Sequence, residues 1–441
     1  MGWLHDVVDY LRAGSAHAEL DLSDESFRAR LERVSRMYSG GVSFWKRVVD
    51  WENGGFYGLV AFDGAPVKEA KKDLIQQARH LWTFSQVYRY EEPSEENAGI
   101  CRHQYDFFKR CFWDAKRCTF HREVTADGQP LEGHIHHYPL SFCLFGLANY
   151  ACAFPEEASG REALSIALTA FETICEKSWC DDSGFDETVY PGRWCPEGKE
   201  INTQMHLLEA VGELFEAVDI HQGSPRGLLD RVFRRQLDLH ARKAIVERGG
   251  HWFCSAGYSR EWELVNDRRV EFGHDIEVVY LVWHAASRLG LQDRDYIVEP
   301  LLGLAKSTSE AAFDRRLGRW YYSGNPLTGR PLEKVANLWT NFEALNGLMT
   351  AYRLSEDARY LRMFDRVLNW LDTRQSNPQT GEWFYNVDWR GRPLSAGVYG
   401  EDCAWMSFPW KSSYHSLRAL IACREWLKKR ANPSPAQTPG R

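Results

Sequence analysis

Apolar residues return every three to four positions through long stretches of the chain, the spacing of one helix face. Leu207, Val211, Leu214 and Phe215 form one such stripe. Val279, Leu281, Val282 and Ala285 belong to a segment apolar nearly all round, as a helix buried on every side requires, whereas Arg226 to Glu247 and Asp357 to Thr373 are more polar. Between these segments a short aromatic and glycine motif recurs. It ends in Phe56, Phe120, Phe185, Trp252, Trp320 and Trp383, positions 63 to 68 residues apart. Self-similarity at a fixed period marks a repeated supersecondary unit. Each unit reads as a turn or hairpin, a buried inner helix, a loop and a more polar outer helix. Helix pairs of this kind bury their apolar faces only against their neighbours, and six can close without exposing an end. The pattern therefore predicts an all-α fold, an (α/α)6 barrel, with a left-open superhelix as the alternative. A helical segment from about Ser23 to Val49 precedes the first motif. Residues 1–430 are expected to form one barrel domain and residues 431–441, ANPSPAQTPGR, a disordered tail.

Composition narrows the function. The formal net charge is −7 with both signs interspersed, which leaves no basic stripe for nucleic acid and no polybasic run for a membrane surface. Eleven cysteines include no CxxC, and several lie in apolar helical stretches, so free thiols in a reducing cytoplasm are expected. His5, Asp6 and Asp9 interrupt the N-terminal apolar residues, which does not suit a signal peptide. Eighteen tryptophans are either bulky packing residues or platforms for sugar rings, and composition does not separate the two.

Candidate chemistry collects where the inner helices begin. Arg79, Tyr138, His206, His274 and Glu343 lie 18 to 23 residues beyond their markers, so they are expected to ring one mouth of the barrel. His415 arrives 32 residues after Trp383 because the sixth unit carries an insertion, Asp388 to Met406. The stretch Phe272-Gly273-His274-Asp275-Ile276-Glu277 opens an inner helix. Glu277, three positions on, is expected to reach back to His274 and fix its tautomer. The plainer alternative is a capping residue with a first-turn acid. Three histidines, an arginine and a glutamate suit proton transfer on a polar, uncharged substrate. A metal site is the rival for a histidine cluster, but no HxH or HxxxH spacing places two of these three on one helix. No metal and no cofactor are expected. His134, His136 and His137 read as solvated loop residues. Two further classes stay open: glycoside hydrolysis by two carboxylates among Asp275, Glu277, Glu343 and Asp402, and sugar binding without catalysis.

Taken together, Gln77-Ala78-Arg79-His80-Leu81-Trp82, Tyr138, Asn202-Thr203-Gln204-Met205-His206, Phe272 to Glu277, Trp339 with Glu343, and Trp410 with Tyr414-His415 and Arg418 carry a resemblance. Over roughly Trp45 to Trp426 the chain resembles the N-acylglucosamine 2-epimerase superfamily, most of all its cellobiose 2-epimerase branch. The resemblance implies an (α/α)6 barrel acting on a small sugar without a cofactor. It implies His274 and His415 as an acid/base pair, His206 assisting ring opening, Arg79 stabilising an enediolate, and Glu277 supporting His274. Tyr138, Asn202, Trp339, Glu343, Trp410 and Arg418 would form the substrate-binding set. An aldose-ketose isomerase is the near variant. Three departures bear on substrate length. Gln204 stands where the family's disaccharide enzymes carry another histidine, Leu338-Trp339 replaces a paired tryptophan, and Tyr138-Pro139-Leu140-Ser141 differs from tyrosine-glycine-glutamine-alanine. A monosaccharide is thus a rival to a disaccharide.

Overall fold

Six short hairpins punctuate the chain, one at each recurring aromatic marker, in a computed structural model that describes residues 21–90, 93–190, 193–194, 198–221, 227–265, 267–394 and 404–431. Phe56 bridges Val49, Phe120 pairs with Trp113, Phe185 with Trp179, Trp252 with Glu247, Trp320 with Phe313 and Trp383 bridges Ser376. The turn just ahead of the marker needs a left-handed backbone. Gly54, Gly250, Gly318 and Gly381 supply it two residues ahead, Gly184 supplies it one residue ahead in the third unit, and Cys118 adopts it at φ 51° in the second.

The helices are α1 (Asp24–Arg47), α2 (Leu74–Tyr90), α3 (Glu95–Phe112), α4 (His137–Ala153), α5 (Ala158–Ser178) and α6 (Ile201–Ile220). They continue as α7 (Gly227–Leu239), α8 (Phe272–Arg288), α9 (Asp295–Ala312), α10 (Leu338–Ser355), α11 (Ala358–Trp370) and α12 (Tyr414–Ala431). The even-numbered helices form the inner ring. Each packs on the next, from α2 through α4, α6, α8 and α10 to α12, and α12 packs back on α2. Outer helices α3, α5, α7, α9 and α11 each lie on the inner helix before them, while α1 lies on α12. The first helix among the described residues thus completes the last pair, and the ring is closed rather than an open superhelix.

Sequence pattern separates the two rings. Every residue of α4 from His137 to Cys152 is buried. On α11 only Tyr360, Leu361, Phe364, Val367, Leu368 and Trp370 are, an apolar stripe with charge on its other side. The closure is reinforced by polar contacts from α1 to the fifth and sixth units. Trp45 Nε1 donates to Glu382 Oε2 at 2.9 Å, and Arg30 and Arg33 each pair with an aspartate, Asp365 and Asp372, at 2.7 Å.

Around the mouth, a short strand leading into each inner helix pairs with a strand of the following unit. Lys72–Asp73 pairs with Glu123–Val124, Ile135–His136 with Thr188–Tyr190, Lys199–Glu200 with Gly257–Tyr258, Val270–Glu271 with Ser323–Asn325, and Ala336–Asn337 with Asn386–Val387. Leu59–Ala61 pairs with Trp405–Ser407 and joins the first unit to the last. These ribbons fix where each helix starts and hence how high its first residues stand. His137, expected to be solvated, is fully buried in the first turn of α4. No helix among the described residues is long and apolar enough to cross a membrane. The tail expected over 431–441 lies outside the described residues apart from Ala431, which ends α12.

Candidate active site

On four inner helices one buried polar side chain ties the helix to its hairpin, and these ties set the register of the site. Gln77 Oε1 accepts from Phe56 N at 3.0 Å, Gln204 Nε2 donates to Phe185 O at 3.0 Å, Asp275 Oδ1 accepts from Cys254 N at 2.9 Å and Asn341 Oδ1 accepts from Trp320 N at 2.9 Å. Two residues beyond each tie stand Arg79, His206, Glu277 and Glu343. The in-register ring therefore contains Glu277 rather than His274. Three residues earlier on α8, His274 sits about 4.5 Å nearer the mouth.

A cavity of about 220 Å³ opens at this mouth. It is lined by Arg79, Tyr138, Asn202, His206, His274, Glu277, Trp339, Trp410 and His415, nine of the eleven residues singled out from sequence. Glu343 and Arg418 lie beneath its floor. Glu271, Tyr322 and Tyr385 also line it, and sequence reading passed over them because they lie in the strands and loops of the rim.

The floor is an ion cluster. Arg418 reaches Glu209 Oε1 and Glu343 Oε2, each at 2.6 Å, and also contacts Glu277 and the Tyr414 hydroxyl. Tyr414 in turn donates to Glu209 Oε2 at 2.6 Å. Three carboxylates share one guanidinium, so their charges cannot all be satisfied. Burial, with Glu343 adjacent, pushes Glu277 up to about 8 against the pull of Arg418, so it holds a proton at neutral pH. Glu209 is held down at about 2, its burial outweighed by Arg418 and His206.

Two imidazoles stand on this floor. His206 Nδ1 lies 3.1 Å from Glu209 Oε2, which leaves Nε2 free toward the cavity, 3.9 Å from Glu277. His415 Nδ1 lies 2.6 Å from Glu343 Oε1. Burial lowers His206 to about 4, against the pull of Glu209, and takes His415 well below its ordinary range, with Arg79 and Arg418 adding to the effect. Both are therefore neutral at pH 7. His274 is also lowered by burial, which Glu271 and Glu343 oppose.

The expected service of Glu277 to His274 is not what the structure shows. Glu277 is drawn inward by Arg418, and the carboxylate beside His274 Nδ1 is Glu271 Oε2, at 3.5 Å. Arg79 donates to the Tyr138 hydroxyl at 2.9 Å and lies over the Phe142 ring, 4.1 Å from its centroid. Trp339 packs against both remaining imidazoles, 5.0 Å from His274 and 5.8 Å from His415 between centroids. Trp410 is 43% exposed at the rim, tilted over Tyr138.

The rival chemistries fare differently. Glu277, Glu343 and His415 offer ligand atoms within 4.8 Å of one another, a spacing that could hold a metal ion. Arg418 already holds both side chains from between them, and Glu277 carries a proton at neutral pH. For hydrolysis, Asp275 is turned away to its hairpin tie and to Thr308, Glu343 is below the floor, and Asp402 lies outside the described residues. What faces the cavity is a set of neutral imidazoles beside a guanidinium, an arrangement suited to moving protons at a carbon next to a carbonyl. Gln204, a departure from the resembled pattern, is a buried hairpin tie and does not line the cavity.

Residues 54–404 match the N-acylglucosamine 2-epimerase (GlcNAc 2-epimerase) family. The cellobiose 2-epimerase of Dictyoglomus turgidum is 26% identical over 408 residues, covering 88% of this chain and 95% of its own. Among solved structures, a sugar epimerase from a ruminal bacterium superposes with a TM-score of 0.79 at 23% identity, over 91% of this chain and 99% of that one. A D-mannose isomerase superposes with a TM-score of 0.76 at 16% identity, over 93% and 100%. These two structural likenesses establish the fold.

Proposed function

The chain belongs to the N-acylglucosamine 2-epimerase family, and from that premise we propose that it is a carbohydrate 2-epimerase that inverts carbon 2 of a reducing-end sugar of glucose or mannose configuration. The observation that carries this reading is the meeting of His206, His274 and His415 with Arg79 around one cavity. In the opened sugar, one of His274 and His415 takes the proton from carbon 2. The electron pair moves onto the aldehyde oxygen and leaves an enediolate. Arg79 and His206 donate to that oxygen as its charge develops, which makes the carbon acid strong enough for a neutral imidazole. The other imidazole, charged by a proton it takes up with the sugar, returns that proton to the opposite face; the product is the epimer, and the two rings have exchanged protonation states.

Tyr138 and Asn202 hold sugar hydroxyls, and Trp339 and Trp410 offer ring faces. Glu343 and Arg418 act from below the floor, where they fix His415 and His206 and do not touch the sugar. No cofactor is called for, because the proton moves between side chains already present. The cavity volume, about 220 Å³, favours a single ring inside, with any second ring lying outside beside Trp410. An aldose-ketose isomerase would use the same groups and return the proton to carbon 1. Incubation with glucose, mannose, cellobiose and mannobiose tests the reading. The carbon 2 epimer is the expected product of at least one; fructose or its glycoside as the sole product establishes the isomerase, and glucose released from cellobiose establishes a hydrolase.

A further inference from the structure

Each of the two floor imidazoles has a carboxylate at its Nδ1, Glu209 for His206 and Glu343 for His415. We propose that Glu271 does the same for His274: it is a positioning residue that holds the Nδ1 proton, so that Nε2 meets the sugar as a base. The proposal rests on the reading of His274 as one of the proton-transferring pair.

The placement of Glu271 comes from the ribbon around the mouth. It ends the strand Val270–Glu271, opposite Ser323 of the following unit. It is also the N-cap residue of α8, yet its side chain makes no capping hydrogen bond. An N-cap position ordinarily spends a short polar side chain on the helix's free N–H groups. Here a longer carboxylate passes them by and lies 3.5 Å from His274 Nδ1, with its side chain 28% exposed.

Tyr322 faces that carboxylate from across the ribbon: burial and the neighbouring Glu271 both raise its phenol, and Tyr322 O accepts from Phe272 N at 3.0 Å. Burial keeps that phenol protonated and therefore a donor. Trp339 closes the other side. Its ring lies 5.0 Å from the imidazole and 6.0 Å from Tyr322, and a Cβ at Gly273 would come within 2.3 Å of it. Glycine at 273 is what lets the indole reach His274.

The other charged group facing His274 is Glu343 on α10, which acts in the same direction as Glu271 but is engaged by His415 and Arg418. Glu277, on the helix of His274, is engaged by Arg418. Glu271 is therefore the carboxylate placed to set the tautomer of this ring and to sustain its basicity against burial.

The test uses the full-length protein labelled with ¹⁵N-histidine, with Glu271→Gln, Glu271→Asp and Tyr322→Phe. His274→Asn assigns the resonance. In the wild type, His274 is expected as the Nδ1–H tautomer. Glu271→Gln lowers the imidazole's pKa and mixes its tautomers, and Glu271→Asp restores part of both. In carbon 2 exchange, Glu271→Gln lowers kcat about 10- to 100-fold with little change in KM, and moves the acid limb of kcat/KM to lower pH. Tyr322→Phe, which keeps the carboxylate, gives a smaller shift of the same sign. An unchanged His274 titration and tautomer in Glu271→Gln overturns the proposal. If the wild type exchanges no sugar proton at all, the epimerase reading fails, and the histidine spectra still decide whether Glu271 holds His274.

Discussion

His274 and His415 face one cavity, but the protein holds them in different ways. At the floor, His415 is 10% exposed and sits 2.6 Å from a fully buried carboxylate that is itself locked to Arg418. At the rim, His274 is 16% exposed, its carboxylate is 3.5 Å away, and that carboxylate is partly open to solvent. The cause is the surroundings each ring meets. His415 stands on the ion cluster around Arg418, and His274 stands beside the ribbon strand that ends in Glu271. Buried charge gives the floor a rigid geometry that cannot relax without stranding an ion. The rim holds His274 between a carboxylate 3.5 Å away and the face of Trp339, and leaves the ring open to the cavity.

That contrast can be broken most severely at the imidazoles themselves. His274→Asn and His415→Asn should each lower epimerisation by about 10²- to 10⁴-fold, the usual contribution of a positioned acid or base, measured as initial rates on the preferred sugar. Next comes the floor. Arg418→Met leaves Glu209, Glu277 and Glu343 without their shared cation, and should cost about 3 to 5 kcal/mol in urea unfolding, as removal of one partner of a buried pair does. Glu271→Gln at the rim should stay within about 1 kcal/mol of wild type in the same assay, since its carboxylate is partly solvated. Equal losses in the two variants would erase the distinction.

The pH profile sharpens the comparison further. Burial lowers His274, His206 and His415, and a base works only when neutral. One ring works neutral and the other charged, so activity should hold or rise as pH falls from 7 and decline only below the ordinary histidine value of about 6.5, with the limb read from kcat/KM of the free enzyme. A limb above that value would mean that a group other than these buried imidazoles governs the rate. The smallest effect is expected at the exposed edge. Trp410→Ala removes a stacking surface worth about 0.5 to 1.5 kcal/mol, so KM for cellobiose should rise about 2- to 10-fold, with less change for glucose if the second ring lies on that indole.

Much of this arrangement was legible before the structure, and the failures have a common physical origin. The aromatic markers located all six hairpins, because a tight turn beside a packed ring imposes a local requirement that sequence displays directly. The inner helices were legible from apolar residues all round; the residues that interrupt their starts supplied Arg79, Tyr138, His206, His274 and His415 of the cavity's lining, Glu277 came from the stretch that opens α8, and Asn202, Trp339 and Trp410 came with the family resemblance. The partner of His274 was not legible. A helix face offers acids on either side of a histidine, Glu271 and Glu277, and spacing alone treats them alike. Arg418, 141 residues further along the chain, draws Glu277 inward, and pairing with the next unit turns Glu271 toward the imidazole. Glu209 was missed for a similar reason. Glu209 is one of three glutamates on α6, and nothing beside it in sequence shows that closure of the ring brings Arg418 and Tyr414 onto it. Local chemistry is written in neighbouring residues, whereas partners chosen by ring closure are not.

The account rests on two imidazoles serving opposite faces of one opened sugar. Deuterium wash-in at carbon 2, followed separately from each epimer in heavy water for wild type, His274→Asn and His415→Asn, tests this most directly. The wild type should label both epimers, and each single variant should keep labelling one epimer, a different one for each variant, while failing to interconvert them. Labelling of both epimers by either variant, or no carbon 2 label in the wild type on any sugar of the panel, would contradict it.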